Sequence, residues 1–183
     1  MKPRVGISRC LLGDDVRYDG TNKRSAAVGV LAEQVEWVPV CPEVEVGMGV
    51  PREPIRLVAH PDGVRSATGH VNLTGVTTGE DWTGRMDRWA SERVAELTAL
   101  PISGFVLKAR SPSCGPAGVL VHHDNRDATP TGRGLFAAAL ATAIPGLPMV
   151  DEEALEDPRA RERFIQRVRD FAESKGPRTR GPR

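Results

Sequence analysis

Residues 35–43 read VEWVPVCPE. Val35, Trp37, Val38 and Val40 have the β-branched and aromatic character of a strand, and Pro42 ends the element and fixes the chain direction after Cys41. The same arrangement occurs twice more. Residues 5–8 (VGIS) run into Cys10 and the loop LLGDDVRYDGTN, and residues 103–107 (SGFVL) run into KARSPSCGPAG, which carries Cys114. Helices are expected between such strands. Asn22 is placed to cap one over residues 23–34, in which Ala26, Val30 and Leu31 share a face although Gly29 weakens it. Thr78 and Asp81 form an N-cap signature before Trp82, Met86, Trp89, Ala90, Val94 and Leu97, which recur at helical spacing up to Pro101. Residues 135–144 predict an Ala-rich helix stopped by Pro145 and Gly146. Asp157 and Pro158 open a last helix lined by Phe164, Ile165, Val168 and Phe171, with Gly176 as its stop. Residues 119–121 and 147–150 read as short strands, residues 43–78 as a long loop with a short hairpin around a PDG turn, and residues 122–134 as a polar loop.

Strands separated by helices or long crossovers give an α/β domain with a mostly parallel, doubly wound sheet and helices on both faces. The expected domain is single and covers residues 1–175, followed by a tail at 176–183. At 183 residues the chain is near the size of one domain. Lys and Arg number 25 against 24 Asp and Glu, a formal net charge of +1, so no global field exists to gather nucleic acid or an anionic membrane. Three cysteines are too few and too scattered for a disulfide scaffold, and their odd number leaves one unpaired, which points to a reducing compartment. MKPRVGIS lacks the apolar core of a signal peptide, and no run approaches the ~20 apolar residues of a membrane span. A cytoplasmic protein is the expectation.

Ligands of open α/β sheets bind beyond the carboxyl ends of the strands, where all three cysteines fall. Taken singly, a cysteine is usually a small buried hydrophobe. Each of these lies in a Gly- or Pro-punctuated loop, so convergence on a metal site is the better reading. Spacings of 31 and 73 residues match no zinc knuckle or ferredoxin run. Three thiolates can bind Zn²⁺ with one position open, or hold three of the four irons of a cubane cluster, and spacing does not choose between them. Glu43 is placed to act as a general base, with Glu45 as the competing carboxylate. Ser111 and Ser113 flank Pro112 within reach of a ligand at the metal, and Lys108 is placed to position an anion. Gly132-Arg133-Gly134 is more simply a helix-entry turn than a phosphate cradle. His122 and His123, adjacent on a strand, point to opposite faces and read as surface residues. Trp82, Met86 and Trp89 read as core.

SRCLLGDDVRYDG (8–20), VPVCPEVEVGMGVPREP (38–54), TGEDWTGRM (78–86), KARSPSCG (108–115) and GRGLFAAAL (132–140) together resemble the thiouracil desulfidase family. The likeness spans residues 3–173. The resemblance implies a Rossmann-like domain in which Cys10, Cys41 and Cys114 hold a [4Fe-4S] cluster with one iron free. It implies removal of sulfur from 2-thiouracil or 4-thiouracil without net redox change, the sulfur binding the free iron. Glu43 and Ser111 match the family's acid–base and substrate-polarising positions, with Ser113 and Lys108 as substrate-binding candidates. The blocks look like the first domain of a longer type that acts on transfer RNA. With the second domain absent, a small thiolated pyrimidine is favoured over transfer RNA. Two rivals stay open: a zinc-dependent nucleobase hydrolase using the same cysteines, and a non-catalytic cluster or sulfur carrier.

Overall fold

A computed structural model describes residues 2–59, 71–124 and 126–175. Its strands are β1 (Arg4–Ser8), β2 (Glu36–Val40), β3 (Ile55–Ala59), β4 (Val71–Gly75), β5 (Gly104–Leu107), β6 (Val119–His123), β7 (Arg126–Gly132) and β8 (Met149–Asp151). The helices are α1 (Ala26–Leu31), α2 (Pro42–Glu45), α3 (Thr83–Ala99), α4 (Leu135–Ala143) and α5 (Pro158–Lys175).

The first sheet has the order β2-β1-β5-β8, and every pairing in it is parallel. Alternation along its strands sorts the core into two layers. Val5, Ile7 and Val106 point to one face and pack with Val28 and Leu31 of α1 and with Phe164, Ile165 and Val168 of α5. Val40, Phe105 and Leu107 point to the other and pack with Ala90, Val94 and Leu97 of α3 and with Phe136, Ala137 and Leu140 of α4. The fold is therefore α/β and Rossmann-like, with helices on both faces of a parallel sheet, as the alternating pattern predicts. Gly6 is part of this packing: a Cβ there would stand 2.2 Å from the Phe105 ring, so only glycine lets that ring lie across β1.

A second, mixed sheet of order β4-β3-β6-β7 goes beyond that expectation. β3 and β4 form the expected antiparallel hairpin, while the PDG turn lies outside the described residues. β3 pairs parallel with β6, and β6 antiparallel with β7. Met86 of α3 and Leu135 of α4 are carried into a third cluster with Leu57, Leu73, Val119 and Val121, so the two sheets share a helical layer. Trp82 and Trp89 pack against that cluster, in keeping with a core role.

Three local expectations need correction. The helix expected at 23–34 spans only Ala26–Leu31, and its cap is Ser25, whose hydroxyl accepts the Val28 N–H at 3.3 Å. Asn22 instead accepts the Arg24 N–H and donates to Asp15, closing the preceding turn. The helix placed after Thr78 starts at Thr83, with Asp81 accepting the Thr83 N–H at 2.8 Å, whereas the Thr78 hydroxyl accepts the Glu80 N–H in a turn. Most of the polar loop at 122–134 is β7. As an edge strand it is largely exposed and tolerates Asp127 and Pro130, which removes the alternation by which a strand is recognised.

Candidate active site

β2, β1 and β5 are neighbours and parallel, so their carboxyl ends lie side by side at one edge of the sheet. Each delivers one cysteine there. β1 passes into a 3-10 turn, Arg9–Leu12, that carries Cys10. Cys41 follows β2 directly and is the N-cap of α2, with Pro42 in the first turn. β5 leads through residues 108–113 to Cys114. Cys10 and Cys114 flank the point where successive strands pass from one side of β1 to the other, the usual ligand site of such sheets. All three thiols are free, buried and part of the lining of one cleft of about 310 Å³. Glu43, Arg52, Lys108, Ser111, Ser113 and Tyr18 also line it, Tyr18 as its one aromatic among the described residues.

The Cys114 loop is held from behind by α4. The N–H groups of Gly134, Leu135 and Phe136 donate to the carbonyls of Gly115, Pro112 and Ser113 at 2.8, 3.2 and 3.0 Å. The glycine pair around Arg133 thus serves a helix entry whose first amides are spent on the cysteine loop. A Cβ on Gly134 would lie 2.5 Å from the Ser113 carbonyl group and 2.7 Å from the Cys114 nitrogen. Gly134→Ala must displace that backbone; a stability loss of about 1–3 kcal/mol is expected, to be read from denaturant midpoints.

The polar wall of the cleft is one connected network. Ser113 donates its hydroxyl proton to Glu43 Oε1 at 2.7 Å. Ser111 Oγ lies 3.0 Å from Ser113 Oγ and accepts the N–H groups of Ser113 and Cys114 at 3.3 and 3.1 Å. With both its acceptor sites used and the Ser113 proton committed to Glu43, Ser111 is the donor between the two hydroxyls. On the far side of Glu43, Arg52 Nε and Nη2 both donate to Oε2, at 3.0 and 2.6 Å. The two serines, placed alike by the sequence, differ here: Ser111 makes the turn and Ser113 reaches the carboxylate.

Glu45 does not line the cleft. It accepts the Cys41 N–H at 2.9 Å and pairs with Arg93, so it steadies the cysteine. Lys108 pairs with Glu152, which also accepts the Ala109 N–H at 2.7 Å. Arg52, Glu152 and Arg93 are missed by sequence reasoning because their partners are 9, 44 and 48 residues away along the chain. His122 and His123 lie on the second sheet, where His123 Nε2 is 3.1 Å from the Thr129 hydroxyl.

The electrostatics suit ligands that await a cation. Burial pushes the Cys10 thiol up to about 12, with the neighbouring Cys41 adding and Lys108 opposing. Burial also raises Cys41, offset by a backbone hydrogen bond at Val44. It raises Cys114 further, against a hydrogen bond from Ser8. In metal-free protein the unfolded chain ionises such thiols near pH ~8.5, while the fold keeps them protonated. Stability is therefore complete below that pH and falls above it, because the unfolded state then binds fewer protons, by about 1.4 kcal/mol per pH unit for each thiol held neutral. Urea unfolding between about pH 7 and 10 checks the slope, and Cys10→Ala is expected to reduce it. Three soft donors in one cleft suit a thiophilic metal or cluster. Among the described residues, no three His, Cys, Asp or Glu side chains gather at a single-ion site.

The chain is 31% identical over 156 residues to the uncharacterized protein YbbK of Bacillus subtilis, covering 82% of this chain and 97% of that protein. The solved structure of the [4Fe-4S]-dependent thiouracil desulfidase TudS superposes with a TM-score of 0.68 at 27% identity, covering 90% of this chain and 99% of that one. A family model described as 2-thiouracil desulfurase matches residues 5–152, a stretch that includes all three cysteines, Glu43 and both serines. The chain belongs to the 2-thiouracil desulfurase family of enzymes.

Proposed function

We propose that the protein hydrolyses the C=S bond of a thiolated pyrimidine such as 2-thiouracil. One water is consumed, C=S becomes C=O, and sulfide is released with no exchange of electrons. The observation that carries this reading is the presence of Cys10, Cys41 and Cys114 in the same cleft as Glu43. In this reading the three cysteines hold a [4Fe-4S] cluster. The residues fit that group, since they are three buried thiols from three adjacent strand ends. When bound, a cluster with three protein ligands supplies a soft Lewis-acidic iron for the thione sulfur.

The remaining work falls to the chain. Glu43 Oε1 takes a proton from the attacking water, and its bond with Ser113 fixes where that oxygen sits. Ser111 and Ser113 donate in series onto the same oxygen, which holds it in place beside the substrate. Lys108, held by Glu152 at the β5 end of the cleft, orients the polar edge of the substrate. Apolar Val16, Val40 and Ile55 line the same cleft as the polar network, a mixture suited to a small heterocycle.

The test is anaerobic reconstitution with iron and sulfide, followed by a screen for sulfide release. The substrates are free thiopyrimidines, thionucleosides and thiolated transfer RNA. Release of sulfide and the oxo-pyrimidine in equal amounts is the expected result. A reconstituted protein that frees no sulfide from any of them overturns the reading.

A further inference from the structure

We propose that Arg52 is a positioning residue that holds Glu43 with one oxygen locked and the other presented to the cleft. The inference rests on Glu43 being the base. Its observations are independent of that role.

Arg52 is almost completely buried, its side chain 6% exposed. A buried guanidinium needs acceptors for its donors, and four of its five N–H groups have one here. Nε and Nη2 converge on Glu43 Oε2, Nη2 also donates to the Val16 carbonyl at 3.0 Å, and Nη1 to the Gly49 carbonyl at 2.8 Å. Two donors on Oε2 fill its acceptor capacity, so that oxygen is closed to water. Oε1 takes one donor, Ser113, and keeps one lone pair. The last torsion of a glutamate side chain is intrinsically broad. Opposed anchors, Arg52 on one oxygen and Ser113 on the other, select one setting of it. The Arg52 backbone N–H separately donates to the Tyr18 carbonyl at 2.9 Å, so the main chain here stays tied when the guanidinium is removed.

The test uses the cluster-loaded enzyme, with turnover of 2-thiouracil, iron content and visible absorbance measured on each variant. Arg52→Ala is expected to lower kcat on the order of 10²-fold, the usual cost of a base displaced by about an ångström, with KM and absorbance unchanged. Guanidinium ion added to this variant restores part of the rate. Arg52→Lys keeps a charge but not the two-point grip, and falls between parent and alanine variant; it also serves if the alanine variant does not fold. Because Arg52 acts through Glu43, adding Arg52→Ala to Glu43→Gln brings no further loss, whereas a merely structural role makes the two losses multiply. A crystal structure of Arg52→Ala is expected to show the Glu43 carboxylate turned away from Ser113. The proposal is overturned by Arg52→Ala turning over at the parental kcat while Glu43→Gln is inactive, or by losses that multiply. Full activity in Glu43→Gln alone overturns the base assignment itself, and that result is read before Arg52 is altered.

Discussion

Serine in place of any one of Cys10, Cys41 and Cys114 is expected to take sulfide release to background, a fall of about a thousandfold or more, equivalent to over ~4 kcal/mol of transition-state stabilisation. The three thiols come from separate strand ends: among the described residues the chain's cysteines are these three, all buried, and the Glu45 carboxylate is occupied by the Cys41 N–H and Arg93. A hydroxyl is a hard, weakly acidic donor and holds iron poorly beside sulfur. Serine is close in volume to cysteine, so the fold should survive, and far-ultraviolet circular dichroism will separate loss of cofactor from loss of structure. Iron and acid-labile sulfide per chain are expected to drop with the activity. Parental turnover in any one of the three variants contradicts the ligand assignment, and zinc in place of iron and sulfide in active protein contradicts the cluster itself.

Glu43→Gln is expected to be the second large effect, about 10²–10⁴-fold in kcat, the range for removal of a positioned general base. The substitution keeps the side chain's shape, and an amide oxygen can still accept from Arg52. What it removes is the ability to take a proton at the oxygen that meets Ser113. The visible spectrum of the cluster should not change, because Glu43 lies on the polar wall and is no member of the thiol set. Undiminished turnover with an intact cluster removes Glu43 from the mechanism. If iron content falls in parallel with activity, Glu43 instead supports the neighbouring Cys41 two residues earlier in the chain.

Much of this molecule is legible along the chain. The strand before Cys41, the hairpin formed by β3 and β4, and the helices carrying Met86 and Phe164 each announce themselves because a one-sided core imposes a period of two or near 3.6. The edge strand β7 does not. It has solvent on most sides, so nothing selects alternating apolar residues, and Asp127 and Pro130 cost little there. The second sheet was hidden for a different reason: β3 and β6 pair in parallel across 64 positions of sequence, and no local pattern records that partnership.

The site divides along a similar line. That three cysteines follow three strands is a property of order in the chain, and parallel strands with connecting helices place such residues at one edge whatever their spacing. Sequence alone therefore determined the fold class and pointed to three candidate thiols and the candidate carboxylate Glu43. It left Glu43 and Glu45 as competitors, because both stand on the same short turn and differ only in direction. Tertiary structure gives them different surroundings, turning Glu45 back onto the Cys41 amide and Glu43 toward Ser113. It also brought in Arg52, Glu152 and the amides of α4, whose roles depend on distances between loops. A buried charge or hydrogen-bonding group must find a partner wherever the packed chain supplies one, and which partner that is depends on tertiary packing.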